Sequence, residues 1–409
     1  MKLKNPPPSH AQRWGYFFLG MLAALVMFAL GVAAMWGYVY WTGGRPELPL
    51  PAAQPLDEPP IDDNLLQEAW RVIYEDYYGD IPPRKARTYG AIKGSIQTLD
   101  DPYTFFIEPE PAVREQERLE GQFGGIGAYV QVDDQGRIVL EPMVDRPAAQ
   151  AGVQKGDILL AVDGAPLPTP ADLDQVTDMI RGPVGTKVRL TVQRREQTLD
   201  FVITRAEIEL PSVTWQPASG APNAGYIRIE RFSGLTAKEL DQALGDLKTL
   251  DADRAFIIDM RGNPGGLVDA AVNVASRFLD GGVVLIERHA DGSEKVYEAR
   301  SGVSVAPDLP LILLVDGNTA SAAEIVAGAL QDRARATLVG QTTYGKGSIQ
   351  RIHRLSDNSA VHVTYAKWFT PHDRAIDGQG LEPDVIVEPS PDEDAFMTKA
   401  LDLLAQRLR

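Results

Sequence analysis

The stretch Leu311-Ile312-Leu313-Leu314-Val315-Asp316-Gly317-Asn318-Thr319-Ala320-Ser321-Ala322-Ala323-Glu324-Ile325 passes from an unbroken apolar run, through a polar turn, into an alanine-rich segment. Leu311–Val315 reads as an apolar strand and Ala322–Leu330 as the helix after it, so the unit is strand, loop, helix. Ser321 and Glu324 stand at capping-box spacing, and a serine so placed ordinarily satisfies free helix amides. The same place suits a nucleophile. The helix end carries partial positive charge, and unpaired amides there can hold an oxyanion formed beside the hydroxyl.

Outward from this unit the α/β alternation runs from Ala224 to the C-terminus. Tyr226–Ile229, Ala255–Met260, Val283–Glu287, Thr337–Val339 and Ala360–Ala366 read as strands, Asp269–Leu279 as a helix, and Ala395–Leu408 as a closing amphipathic helix. Lys346 lies 25 residues beyond Ser321, within Thr342-Thr343-Tyr344-Gly345-Lys346-Gly347-Ser348-Ile349-Gln350. A lysine can serve a serine as base only if its amine is desolvated. Lowering its pKa by about three units from roughly 10.4 costs about 4 kcal/mol, which demands a dry pocket without a paired carboxylate. Alone, the residue would read as a solvated turn lysine. A third motif, Asp259-Met260-Arg261-Gly262-Asn263-Pro264-Gly265-Gly266, joins a strand to a helix, where glycine amides can supply an oxyanion donor beside the amide after Ser321.

Other chemistries fail on residue type. Gly340 to Lys346 satisfies most of a phosphate-binding loop, but Gly347 stands where Ser or Thr would hold magnesium, and no helix pattern follows. His10, His289, His353, His362 and His372 carry no triad context, and neither Gly-x-Ser-x-Gly nor His-Glu-x-x-His occurs. Cysteine is absent, and 56 acidic against 40 basic residues leave a net charge of -16, which disfavours nucleic-acid partners. No metal or cofactor is expected.

Trp14 to Gly44 lacks charge and is rich in large apolar residues, with Lys2, Lys4 and Arg13 before it. Its length exceeds the roughly 30 Å of bilayer hydrocarbon, so a transmembrane helix over 15–42 is expected, behind a cytoplasmic tail, 1–14. That orientation places the rest of the chain on the periplasmic or extracellular side. A proline-rich linker, 43–60, and a helical region, 61–120, follow, with helices from Asp62 to Tyr78 and from Arg84 to Leu99.

Residues 121–207 form a β-rich module with strand candidates Ile126–Val132, Arg137–Pro142, Asp157–Val162, Lys187–Gln193 and Thr198–Thr204 and a helix over Pro170–Ile180. This order resembles a PDZ domain. Phe123-Gly124-Gly125-Ile126-Gly127 matches the loop whose amides hold a peptide's terminal carboxylate in that family, and Lys155-Gly156-Asp157-Ile158-Leu159 and Val162-Asp163-Gly164 continue the pattern.

With that module ahead of the three motifs, the chain resembles the carboxy-terminal-processing (tail-specific) serine peptidases from about residue 62 to the end. The resemblance implies Ser321 as nucleophile, Lys346 as base and Gln350 as its assistant. It implies the Ala322 amide as one oxyanion donor and an amide of the Gly265-Gly266 pair as the other, without deciding between the glycines. Glu324 reads as a structural cap. Gln350 lies roughly 13 Å along an ideal strand from Lys346, so contact requires a bend near Gly347.

The expected fold is thus α/β multidomain: a transmembrane helix, a helical segment, a PDZ-like β-rich domain, a superhelical core like Clp protease and enoyl hydratase over 208–390, and a C-terminal helix over 391–409. The implied partner is a protein or peptide with an exposed apolar C-terminus, and a homodimer is an expectation of the resemblance alone. The rival reading is a non-catalytic, membrane-tethered PDZ receptor for C-terminal tails.

Overall fold

The computed structural model describes residues 62–170, 172–301, 304–390 and 393–408. They divide into two units, of which the first ends at Ile81 and contributes one described helix, α1 (Asp63–Asp76). Asp62 caps it as its side chain predicts, accepting from the amides of Asn64 at 3.0 Å and Leu65 at 3.1 Å.

The second unit opens with α2 (Arg84–Gln97), β1 (Phe105–Ile107) and α3 (Pro109–Glu120). The β-rich module follows as β2 (Gln122–Gly125), β3 (Ala128–Val132), β4 (Ile138–Pro142), α4 (Pro147–Gln150), β5 (Asp157–Val162), β6 (Ala165–Pro166), α5 (Leu173–Ile180), β7 (Lys187–Arg194) and β8 (Gln197–Thr204). Its sheet runs β3-β4-β5-β7-β8, antiparallel throughout, with β3 at one edge and β6 pairing β5. Alternate residues of these strands, Ile138, Leu140, Val188, Leu190 and Val192, enter one core with Val176 and Ile180, spaced one helical turn apart on α5. β9 (Ala206–Glu209) returns to pair with β2.

The remainder comprises β10 (Val213–Ala218), β11 (Ala221–Ile229), α6 (Thr236–Thr249), β12 (Ala255–Asp259), α7 (Val268–Ala275), β13 (Val283–His289), β14 (Glu294–Glu298), β15 (Leu311–Val315), α8 (Ala322–Asp332), β16 (Thr337–Gly340), β17 (Ser348–Arg354), β18 (Ala360–Phe369), β19 (Val385–Ile386) and α9 (Ala395–Arg407). A six-stranded sheet in the order β10-β11-β12-β15-β16-β19 is parallel from β11 onward. The unbroken apolar runs of β12 and β15 follow from burial on both faces. Phe256, Ile258, Leu311, Leu313 and Val315 pack into the core shared with α6, α7 and α8, whereas Ala255, Ile257, Ile312 and Leu314 pack with Phe396, Ala400 and Leu404 of α9. A second, five-stranded sheet joins β1, β18, β13 and β14, with β17 paired to β18.

One part of the expected fold is corrected. No helix among the described residues is long and apolar enough to cross a membrane, and the segment 15–42 read as an anchor lies outside them. The longest described helices have 14 residues. At 1.5 Å per residue that is about 21 Å, short of roughly 30 Å of hydrocarbon.

Candidate active site

The three glycine- and serine-bearing motifs converge because they follow three neighbouring parallel strands. The Arg261–Gly266 loop leaves the carboxyl end of β12, the Asp316–Ser321 loop that of β15, and the Gln341–Gly347 loop that of β16. In open α/β sheets this end of the strands forms the ligand crevice. Backbone and side-chain bonds tie the loops together. Gly262 donates to Asp316 at 2.9 Å, the Ala320 amide to the Asn263 carbonyl at 2.9 Å, and the Tyr344 amide to the Thr319 carbonyl at 3.0 Å. The buried Thr319 hydroxyl donates to the Met260 carbonyl at 3.0 Å. Thr319 thus stitches two of the loops together.

Ser321 stands at the N-cap of α8 with φ 56° and ψ -118°. Capping serines are extended, and a non-glycine residue at positive φ is strained, which is characteristic of functional sites. Gly265 lies against it: a Cβ there would meet the Ser321 Cβ at 2.7 Å and the Ala320 carbonyl at 2.8 Å. The Gly265 amide is occupied, donating to the Asn263 side-chain oxygen at 2.8 Å. The Gly266 and Ala322 amides donate no hydrogen bond among the described residues.

Glu324 is fully buried. It accepts from the Ser321 amide at 2.8 Å, as a capping box requires, and also from the Lys346 amide at 3.0 Å, the Gly345 amide at 2.7 Å and the Thr343 hydroxyl at 2.5 Å. It is therefore more than the helix cap that its spacing predicted, since it clasps the lysine loop as well.

Lys346 is partly buried, and burial lowers its pKa from the ordinary 10.5 while the charges of Glu115, Asp101 and Glu324 oppose the shift. No carboxylate pairs with its Nζ among the described residues. Nζ lies 5.0 Å from the centroid of the Tyr103 ring. Ser321, Lys346, Gly265, Gly266 and Gln350 line one cleft of about 520 Å³, walled by apolar groups including Phe232, Leu267, Ile325 and Trp368.

A sequence profile for peptidase family S41 matches residues 223–387, and one for PDZ domains matches 138–194. A carboxyl-terminal-processing protease of Synechocystis is 33% identical over 92% of this chain and 91% of its own. The chain belongs to the carboxyl-terminal-processing proteases of peptidase family S41. Similar proteins of that family include one from Bartonella bacilliformis, 35% identical over 77% of this chain and 73% of its own, and one from Bacillus subtilis, 36% identical over 79% and 68%.

In this S41 peptidase Gln350 reaches the cleft but not the lysine. A register shift between Ile349 and Gln350 bends β17, and the Gln350 amide donates to Ser348 at 2.8 Å and Thr364 at 3.4 Å. Two cleft groups escaped the sequence reading. His362 of β18 bonds to Glu115 of α3 at 2.9 Å and stacks on Phe105, and both it and Glu115 line the cleft. No hydrogen bond joins His362 to Ser321 among the described residues. His362 fell within the expected strand Ala360–Ala366 and Glu115 within the helical region 61–120, with nothing local to mark either as a cleft group.

In the PDZ domain, Phe123, Gly124 and Gly125 belong to β2 and are held by β9. Ile126 and Gly127 lie just beyond, before the edge strand β3, and their amides donate no hydrogen bond among the described residues. The Gly124 carbonyl accepts from Gly182 at 3.1 Å.

Proposed function

We propose that this chain is a serine endopeptidase in which Ser321 and Lys346 form a catalytic dyad and the PDZ domain captures substrate C-termini. The observation that carries the reading is the lysine: it lines the same cleft as Ser321, no carboxylate pairs with its amine among the described residues, and burial disfavours its charge.

In the proposed reaction the neutral Lys346 amine takes the Ser321 hydroxyl proton as Oγ attacks the peptide carbonyl carbon. The oxygen that becomes negative is held by the Ala322 and Gly266 amides, the two donors left free, whereas Asn263 removes Gly265 from that role. The C–N bond then breaks, Lys346 returns the proton to the leaving amine, and an ester remains on Ser321. Water hydrolyses that ester with Lys346 again as base, restoring the hydroxyl. The leaving fragment is the C-terminal part of the substrate. Its carboxylate would be held by the Ile126 and Gly127 amides while its chain pairs with the open edge of β3.

The test is to incubate the protein with an unfolded polypeptide ending in an apolar tail. Cleavage by the wild type is expected, with none by Ser321→Ala or Lys346→Ala. Cleavage that survives either substitution overturns the dyad, and tail binding without cleavage by the wild type supports the receptor reading instead.

A further inference from the structure

The matched peptidase region begins at residue 223, yet the lysine's amine lies over the ring of a residue from far upstream. The Tyr103 ring covers Nζ of Lys346 at 5.0 Å. The loop that presents it is anchored at both ends: the Tyr103 amide donates to Asp101 at 3.0 Å, the Thr104 hydroxyl donates to Asp101 at 2.7 Å, and that hydroxyl accepts from the Thr364 amide of β18 at 3.0 Å. Burial, and next the neighbouring Tyr344, two residues before the lysine, push the Tyr103 pKa up. Beyond the ring lies a second recess of about 520 Å³, lined by Tyr103, Tyr344, Asn318 and Lys346 and not by Ser321.

We propose that Tyr103 is a positioning residue for Lys346: its ring roofs the amine on the side of this recess and keeps water from it while the amine waits beside Ser321. The inference rests on Lys346 being the base. Water exclusion and a π face act oppositely on the charge, the first disfavouring the ammonium and the second holding it once formed. In this proposal water exclusion by the ring outweighs its π face, in line with burial being the largest influence on Lys346. The groups facing Lys346 from the neighbouring elements are Glu115 on α3, Asp101 in the Tyr103 loop and Glu324 on α8, with Arg118, Arg231 and His362 on the far walls of the cleft. Removing the ring alters none of these.

The experiment is the pH dependence of kcat/KM for Tyr103→Ala, Tyr103→Gln and Tyr103→Phe beside the wild type. Tyr103→Ala admits water, and Tyr103→Gln, which fills more of the space, brings polar atoms to Nζ. Both should move the acid limb upward by about one pH unit, a roughly tenfold loss below the limb that recovers as the pH rises. Tyr103→Phe keeps the ring and should keep the wild-type limb. Acid limbs for Ala and Gln that coincide with the wild type, at any overall rate, overturn the proposal; if Tyr103→Ala does not fold, Tyr103→Gln decides. Lys346→Ala is run alongside: inactivity leaves the dyad standing whatever Tyr103 does, and activity overturns both readings.

Discussion

The main-chain amides of Ser321 and Lys346 donate to one carboxylate oxygen, Oε2 of Glu324, at 2.8 and 3.0 Å. Because that oxygen belongs to a fully buried side chain on α8, the spacing of the two loops is held by a rigid acceptor as well as by the Tyr344–Thr319 bond between the loops themselves.

Glu324→Gln should therefore damage both stability and rate. An amide turns one acceptor oxygen into a donor, leaving N–H groups of the clasp facing an NH2. Leaving a buried donor unsatisfied costs about 1–3 kcal/mol, and we expect a lower thermal midpoint with kcat reduced by about 10²-fold. An unaltered kcat would show that the clasp does not set the geometry.

The pH dependence of stability follows from Lys346. Its folded pKa lies below the ordinary 10.5 because of burial, so between the two values the unfolded chain holds a proton that the folded chain has lost. Stability from this group thus rises with pH across that window, and below the folded pKa the burial penalty on the ammonium is present in full. Lys346→Met should raise the thermal midpoint at neutral pH while abolishing cleavage. The difference from wild type should shrink as the pH approaches 10.5, which melting curves across that range will check.

At the oxyanion loop, Gly265 has φ 101° and a Cβ there would lie 2.7 Å from that of Ser321. Gly265→Ala should displace Ser321 and the neighbouring Gly266 and Ala322 amides, lowering kcat by about 10²–10³-fold, with KM little changed. Gly266→Ala meets the Phe232 carbonyl at 2.0 Å and should lower thermal stability as well. Parallel kinetics and melting of the two variants separate these outcomes.

In the PDZ domain a Cβ at Gly124 would meet the Gly182 carbonyl at 2.0 Å. Gly124→Val should shift β2 and with it the free amides of Ile126 and Gly127. The preference for apolar-tailed substrates over tail-less ones should then collapse, read as converging KM values. Retention of the wild-type preference would remove the loop from tail capture.

Much of the site was legible locally. Ser321, Lys346 and the Gly265-Gly266 pair carry short-range signals: turn glycines, an apolar strand ahead, a helix start behind. The PDZ strands alternate because one face of each meets a core, while α5 starts later than the expected Pro170, at Leu173 behind the Asp172 cap. The closing turn of α7 was overestimated, since Asp269–Leu279 continues its apolar pattern beyond Ala275, where the chain leaves the helix to bury Phe278 and Leu279. Glu324 was legible as a cap and not as a clasp, because capping is an i, i+3 relation and the clasp reaches residues 343 to 346.

The order of residues by itself singled out the groups proposed for the chemistry and determined that they sit on an α/β framework behind a PDZ-like module. Those facts are written in patterns a few residues long, which depend on backbone preferences and on which side chains face a core. Only the tertiary structure decided which glycine amide stays free, what Gln350 bonds to, that His362 and Glu115 wall the cleft, and that Tyr103 covers the lysine. The last two are contacts between residues far apart in sequence, made when separate strands and loops are brought side by side, whereas the Gly265–Asn263 and Gln350–Ser348 bonds span two residues but depend on backbone turns that residue order alone does not specify.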